Sequence, residues 1–300
     1  MDKPVGSATY TQFLNSNGGV EADLTVTRLD EERFWVITGS GFIANDIAWL
    51  KMHIKEADGE ISIRDITEEW ACLALWGPKA RLTLQKVTQN DVTNEAHPYL
   101  MTKEIKINGM DVYAQRVSYA GELGWELYVP YNHATPVWDL VMEAGKEFGI
   151  DVGGYKVLDS LRLEKGYRYY TADVTQLETP YEAGLGFCVD LSKDDFIGKD
   201  ALVKQKAEGI KRKLCTLILD DEDFTQIYGG EAIYLDGVLT SRVRSGGYGF
   251  TLKKNIFYAY MPVEKAIAGT RVVVELIEGR YQGQVTATVL FDPKGERLRD

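Results

Sequence analysis

A chain of 300 residues with 45% hydrophobic and 26% charged residues can bury one large core or two medium ones and is not composed like a disordered segment. The net charge of −11 argues against nucleic acid or an anionic membrane as a partner, while leaving room for a local basic pocket. There is no apolar signal region near Met1 and no run of ~18 uninterrupted apolar residues, so a soluble, cytoplasmic protein is expected.

In chain order, "ATYTQFL", "EADLTVTRL" and "RFWVITG" alternate as strands, separated by Asn-Gly-Gly and acidic turns, which predicts a β-meander whose first strand needs cover. Ile43, Ile47, Leu50 and Ile54 then fall at helical spacing. "ISIRDITEEWACLALW" predicts a return to strands, and Gly77-Pro78 opens a helix over "KARLTLQKV". "MTKEIKI", "MDVYAQRVSYAG" and "WELYVP" predict strands, "ATPVWDLVMEAGKEFGI" a helix with Pro in its first turn, and "GYKVLDSLRLEKG" another helix ending at Gly166. A turn-rich passage leads to the helix "IGKDALVKQKAEG". From about Lys211 short strands with frequent turns signal an all-β barrel or sandwich, so the chain is cut into domains 1–209 and 210–300 within an α+β class.

Cys72, Cys188 and Cys215 are far apart in apolar runs, which predicts buried, unbridged thiols and a reducing compartment. His53, His97 and His133 are equally scattered, and neither a zinc site nor a Ser-His-Asp triad is read from their spacing. No GxGxxG opens a βαβ unit, and no P-loop, HExxH or GxSxG is present. "SGGYGF" is glycine-rich but lies among strands, where it serves a strand or turn and not a phosphate cradle. Asp23 falls on the face opposite Val20, Ala22, Leu24 and Val26, and Glu126 interrupts the apolar run of "WELYVP". By spacing alone both read as solvent-facing acids, and Arg162 and Glu164 as charges on a solvated helix face.

The blocks "YTQFLNSNGGVEADLTVTRL", "YAGELGWELYVP", "DSLRLEKGYRYYTADVTQLETPYEAGLGFCVDLSKDDFIGKDAL", "SGGYGFTLKKNIFYAYMP" and "DPKGERLR" run in order along the chain. Together they resemble the folate-binding aminomethyltransferase family: the T-protein of the glycine cleavage system and the tetrahydrofolate-binding half of dimethylglycine and sarcosine dehydrogenases. "ELGWELYVP" and "SGGYG" look closer to the dehydrogenase branch.

The resemblance implies an α+β folate-binding domain of two subdomains followed by a β-barrel. It also implies tetrahydrofolate as cofactor, and transfer of a one-carbon unit from an aminomethyl or methylamine donor to give 5,10-methylenetetrahydrofolate and a free amine. Carried over residue by residue, it assigns Tyr10, Tyr119, Glu126 and Arg162 to folate binding and Asp23 to catalysis. A Glu126 carboxylate would accept two hydrogen bonds from the pterin's amino-pyrimidine edge. The tyrosines would offer flat faces, Arg162 a fixed cation, and Asp23 a carboxylate beside N10.

Two departures shape the partner expectations. A full member carries a strand-helix unit before the Tyr10 block, which here would be lost by truncation or supplied by a partner. No dinucleotide fingerprint precedes the match, so a flavin dehydrogenase would be a separate subunit, and a carrier protein is another possible partner. The resemblance leaves two alternatives open: a non-catalytic folate-binding or assembly subunit, and a tetrahydrofolate-dependent demethylase of N-, O- or S-methyl donors.

Overall fold

A computed structural model describes residues 3–300. The chain divides into two compact units, neither continuous in sequence: one comprises the chain up to Thr11, Ala22–Val152 and Gly295–Asp300, the other Gln12–Glu21 and Gly153–Lys294.

The predicted meander is present as β1 (Ala8–Leu14), β2 (Val20–Arg28) and β3 (Phe34–Ile37), in the order β1-β2-β3. Asn15 makes the first turn: its side-chain oxygen accepts the N–H groups of Asn17 and Gly19. The chain just before β1 is covered as the sequence demanded, since the Ala8 N–H donates to Leu100 O and the Thr102 N–H to Gly6 O. Helix α1 (Ile43–His53) follows, with Ile43, Ile47 and Leu50 half-buried.

"ISIRDI" is not a strand. Residues 59–66 alternate correctly but find no strand to bond with, and most of them stay exposed. Regular pairing resumes only at β4 (Trp70–Trp76), followed by α2 (Ala80–Val87), β5 (Thr102–Ile107), β6 (Met110–Gln115), β7 (Gly124–Pro130) and α3 (Ala134–Gly145). These strands form an antiparallel sheet in the order β4-β7-β6-β5. Ile105, Val112, Trp125, Leu127 and Val129 pack on one side of it against Leu84 of α2 and Val137 and Val141 of α3. That core fixes which way each strand residue points, because a one-residue slip would send Trp125 into water.

In the second unit α4 (Tyr155–Lys165), α5 (Pro180–Ala183) and α6 (Lys199–Glu208) precede six strands. β8 (Arg212–Leu219), β9 (Ala232–Leu235), β10 (Val238–Gly249), β11 (Lys254–Pro262), β12 (Arg271–Leu276) and β13 (Gly279–Val285) close into a barrel, in agreement with the all-β expectation. "SGGYG" lies within β10, where a Cβ on Gly247 would press on Leu163 and one on Gly249 on Glu164. The glycines are there for close helix-strand packing. "TATVLFD" leaves the barrel after Val285: the N–H groups of Leu290 and Phe291 donate to Glu164 O, so the segment caps α4 in place of extending a strand. A last helix, α7 (Glu296–Arg299), belongs to the first unit.

Candidate active site

Strand β7 carries the central acid. Trp125, Leu127 and Val129 enter the helix-packed core, so alternation turns Glu126 and Tyr128 to the other face of the sheet. Register places Ala74 of β4 and Gln115 of β6 beside Glu126, and Cys72 and Tyr113 beside Tyr128. On the β4 side Glu126 and Tyr128 therefore face two small residues, Ala74 and Cys72, both open to water. This corrects the expectation of a buried Cys72 thiol. The three cysteines are not joined in any disulfide.

The Tyr128 hydroxyl donates to Glu126 Oε2 at 2.6 Å. Burial and the adjacent Glu126 charge raise the Tyr128 hydroxyl well above its ordinary value, so it keeps the proton it donates. Burial also raises the Glu126 carboxyl above its usual range, against the opposing pull of the Tyr128 hydrogen bond. Among the described residues no cation pairs with Glu126, and Oε1 has no protein partner. Cys72 is walled in by protein on the sides away from water; that desolvation first, and the Glu126 charge second, push its thiol up to about 12. The result is a half-buried carboxylate with one oxygen held by Tyr128 and the other without a protein partner among the described residues.

Tyr128 is held by aromatic neighbours. The Trp35 ring lies edge-on to Trp70, Tyr113 and Tyr128 at 5.0, 4.9 and 5.5 Å between centroids. Gln115 is buried, and its side-chain oxygen accepts from Thr27 Oγ1 at 2.5 Å and Thr102 Oγ1 at 2.9 Å, leaving Nε2 without a partner. The Thr27 bond brings the outward face of β2 against the Glu126 side of the second sheet. Asp23 shares that face with Thr25 and Thr27 by alternation and is half-buried, about 13 Å along the strand from Thr27.

Tyr10 on β1 is half-buried, as is Tyr119 in the loop between β6 and β7. That loop is fastened at both ends. Trp76 Nε1 donates to Val117 O, Ser118 Oγ accepts the N–H groups of Ala120 and Glu122, and Glu122 pairs with Arg297 at 2.9 Å. Gly121 takes a φ of +74°, which only glycine adopts without strain. Gly124 has a different reason: a Cβ there would collide with Leu75 O on β4, so this glycine serves strand pairing.

Tyr10, Asp23, Tyr119 and Glu126 all belong to the first unit, whereas Arg162 belongs to the second. The Arg162 side chain is buried on α4, where Nη1 donates to Asp173 at 2.6 Å and Nε to Asp159 at 3.1 Å. Its guanidinium also lies over the Tyr169 and Tyr258 rings. The solvated-helix reading of Arg162 and Glu164 is corrected: both are buried, because α4 packs against the barrel strand β10.

Tyr128, Gln115 and Cys72 had not been singled out from the sequence as parts of a site. Tyr128 was recoverable from the Glu-x-Tyr spacing, since residues two apart in a strand share a face. The other two reach Glu126 through strand register, which no local signal prints. Among the described residues no cluster of His, Cys, Asp and Glu is placed to hold a metal ion, and no helix is long and apolar enough to cross a membrane.

Comparison with known proteins finds two family models. The GCVT N-terminal domain matches residues 1–193, and the glycine cleavage T-protein C-terminal barrel domain matches residues 212–292. The chain is 37% identical to human mitochondrial dimethylglycine dehydrogenase over 298 residues, 98% of this chain and 34% of that protein. It is 36% identical to an aminomethyltransferase of Thermoanaerobacter sp., covering 88% of this chain and 71% of that one. The crystal structure of glycine cleavage system aminomethyltransferase T from Bartonella henselae superposes with a TM-score of 0.82 at 27% identity, covering 96% and 77% of the two chains. The chain spans about a third of the length of the dehydrogenase relatives it matches.

Proposed function

Because the chain belongs to the glycine cleavage T-protein family, we propose that it transfers a one-carbon unit from an aminomethyl or methylamine donor to tetrahydrofolate, releasing an amine and 5,10-methylenetetrahydrofolate. The observation that carries this reading is Glu126: a carboxylate oriented by Tyr128 and, among the described residues, paired with no cation and left with one oxygen unpartnered. A 2-amino-pyrimidine edge presents two donors to such a group and leaves no charged donor stranded. The residues present therefore fit the folate.

When bound, tetrahydrofolate supplies the two nitrogens that accept the carbon. The chain's own part is positioning and proton management. Glu126 fixes the pterin edge, and Tyr10 and Tyr119 bring flat apolar faces with polar tips. Asp23, on the β2 face that Thr27 presents to Gln115, stabilises the cationic amine that develops near it and moves its proton. The assignment of Arg162 to folate binding rests on the resemblance alone; in the second unit its guanidinium is held by Asp173.

The likeness to a dimethylglycine dehydrogenase supports a second reading: a folate-binding or assembly unit that works with a flavin subunit or a carrier protein. A reducing compartment such as the cytoplasm suits three cysteines without disulfides, although the dehydrogenase relatives are named mitochondrial. Calorimetry with tetrahydrofolate, followed by an assay of methylamine donors for methylenefolate, separates the readings. Saturable heat and turnover are expected, with turnover falling about a hundred- to ten-thousandfold in Asp23→Ala while binding is largely kept. Binding without turnover for any donor supports the subunit reading, and no heat at sub-millimolar ligand contradicts both.

A further inference from the structure

A cleft of about 330 Å³ opens on the barrel of the second unit, lined among others by Lys211, Arg212, Ser241, Arg242, Arg244 and Tyr260. Val243, Ala259, Met261 and Cys215 fill the barrel core, so strand alternation sends Arg242, Arg244, Tyr260 and Arg212 to its outer face. Four cations in one concavity stand out in a chain whose net charge is −11.

Two of the four are held in place. The Glu178 carboxylate is shared, Oε1 with Arg212 at 3.3 Å and Oε2 with Arg244 at 3.0 Å, and Arg212 Nε also reaches Glu182 at 3.1 Å. Both guanidinium groups lie over the Tyr260 ring, at 4.9 and 5.4 Å from its centroid. The hydroxyl of Tyr260 is spent on Asp173 O, which fixes the ring beneath them.

What is left over points to a ligand. Arg244 Nε is buried without a hydrogen-bond partner, and the Nη1 groups of Arg212 and Arg244 have none among the described residues. Among the described residues Lys211 and Arg242 pair with no carboxylate, and Arg242 donates to Gly230 O. Four cations thus face two carboxylates, an excess of two positive charges. Like charges gathered in a concavity repel one another, and a buried guanidinium N–H without an acceptor destabilises the empty site. A packing role would need only the Glu178 clamp.

We infer that this cleft binds a small dianion through its carboxylate or phosphate oxygens, with Arg212 and Arg244 as preorganised forks and Lys211 and Arg242 as the outer charges. Guanidinium forks match both oxyanion types, and the volume suits a molecule of metabolite size. The site is independent of Glu126 and of the folate reading.

The test is thermal melting of the full chain against inorganic phosphate and, separately, succinate, with ionic strength held constant by chloride to remove general screening. One of the two anions is expected to raise the melting temperature saturably, and the better one identifies the head group. The double variant Lys211→Gln/Arg242→Gln, which breaks no ion pair, is expected to weaken that effect at least about tenfold. Absence of a saturable shift with either anion, measured on the unaltered chain, overturns the inference. An undiminished shift in the double variant overturns it as well.

Discussion

In the first unit Glu126 gives one oxygen to Tyr128 and is paired with no cation among the described residues, whereas in the second Asp173 is clamped by Arg162, the Tyr169 N–H and Ser245. Glu178 is likewise divided between Arg212 and Arg244. A compensated buried acid holds its own surroundings together, because removing either partner strands a charge. An uncompensated one, kept half-desolvated beside exposed small side chains, costs stability in the absence of a ligand. The contrast places Asp173 in the architecture and is what the proposed binding role of Glu126 requires.

The largest expected effect breaks the architectural side. Asp173→Ala leaves the Arg162 guanidinium without its shortest ion pair and should cost about 3–5 kcal/mol in urea unfolding, while the double change Arg162→Met/Asp173→Leu should cost much less. A single-variant loss under about 1 kcal/mol would remove the distinction between the two acids.

A smaller effect sharpens the binding side. Tyr128→Phe removes the hydrogen bond that lowers the Glu126 carboxyl, so that carboxyl rises further. Tetrahydrofolate affinity should fall about fivefold, the worth of about one hydrogen bond, and the pH below which binding is lost should move upward. An unchanged pH profile by fluorescence titration would show that Tyr128 does not set the acid's state.

The smallest effect has a sign that only an uncompensated acid gives. The Glu126 carboxyl is raised in the folded chain, so its contribution is fully favourable below the unfolded value and is lost as pH rises through the folded one. Above the ordinary range for a glutamate, neutral pH included, the acid therefore weighs on the fold. Glu126→Gln should raise the melting temperature there, and the gain should vanish below about pH 4, the ordinary range for a glutamate.

Legibility followed physical scale. The alternation of Trp125, Leu127 and Val129, the outward face of β2 that carries Asp23, the amphipathic α1 and the short barrel strands are local patterns, and the sequence shows them. "ISIRDI" has the same alternation without a strand to pair with, since a period of two states which face is apolar and not whether a neighbour exists. Cys72 and Gln115 reach Glu126 only through register with β4 and β6. Arg162 meets Asp173 eleven residues on because the chain turns back after α4. The folate assignment came from resemblance across ordered blocks; spacing alone read Asp23 and Glu126 as solvent-facing acids.

The most direct test of the central claim is calorimetric titration of tetrahydrofolate into the parent chain and into Glu126→Gln at neutral pH. The variant keeps side-chain shape and an acceptor for Tyr128 but loses the charge, so affinity should drop about a hundredfold, roughly two charge-assisted hydrogen bonds weakened, in a protein that melts no lower than the parent. Equal affinity in parent and variant would contradict the account and return Glu126 to an incidental acid on a strand.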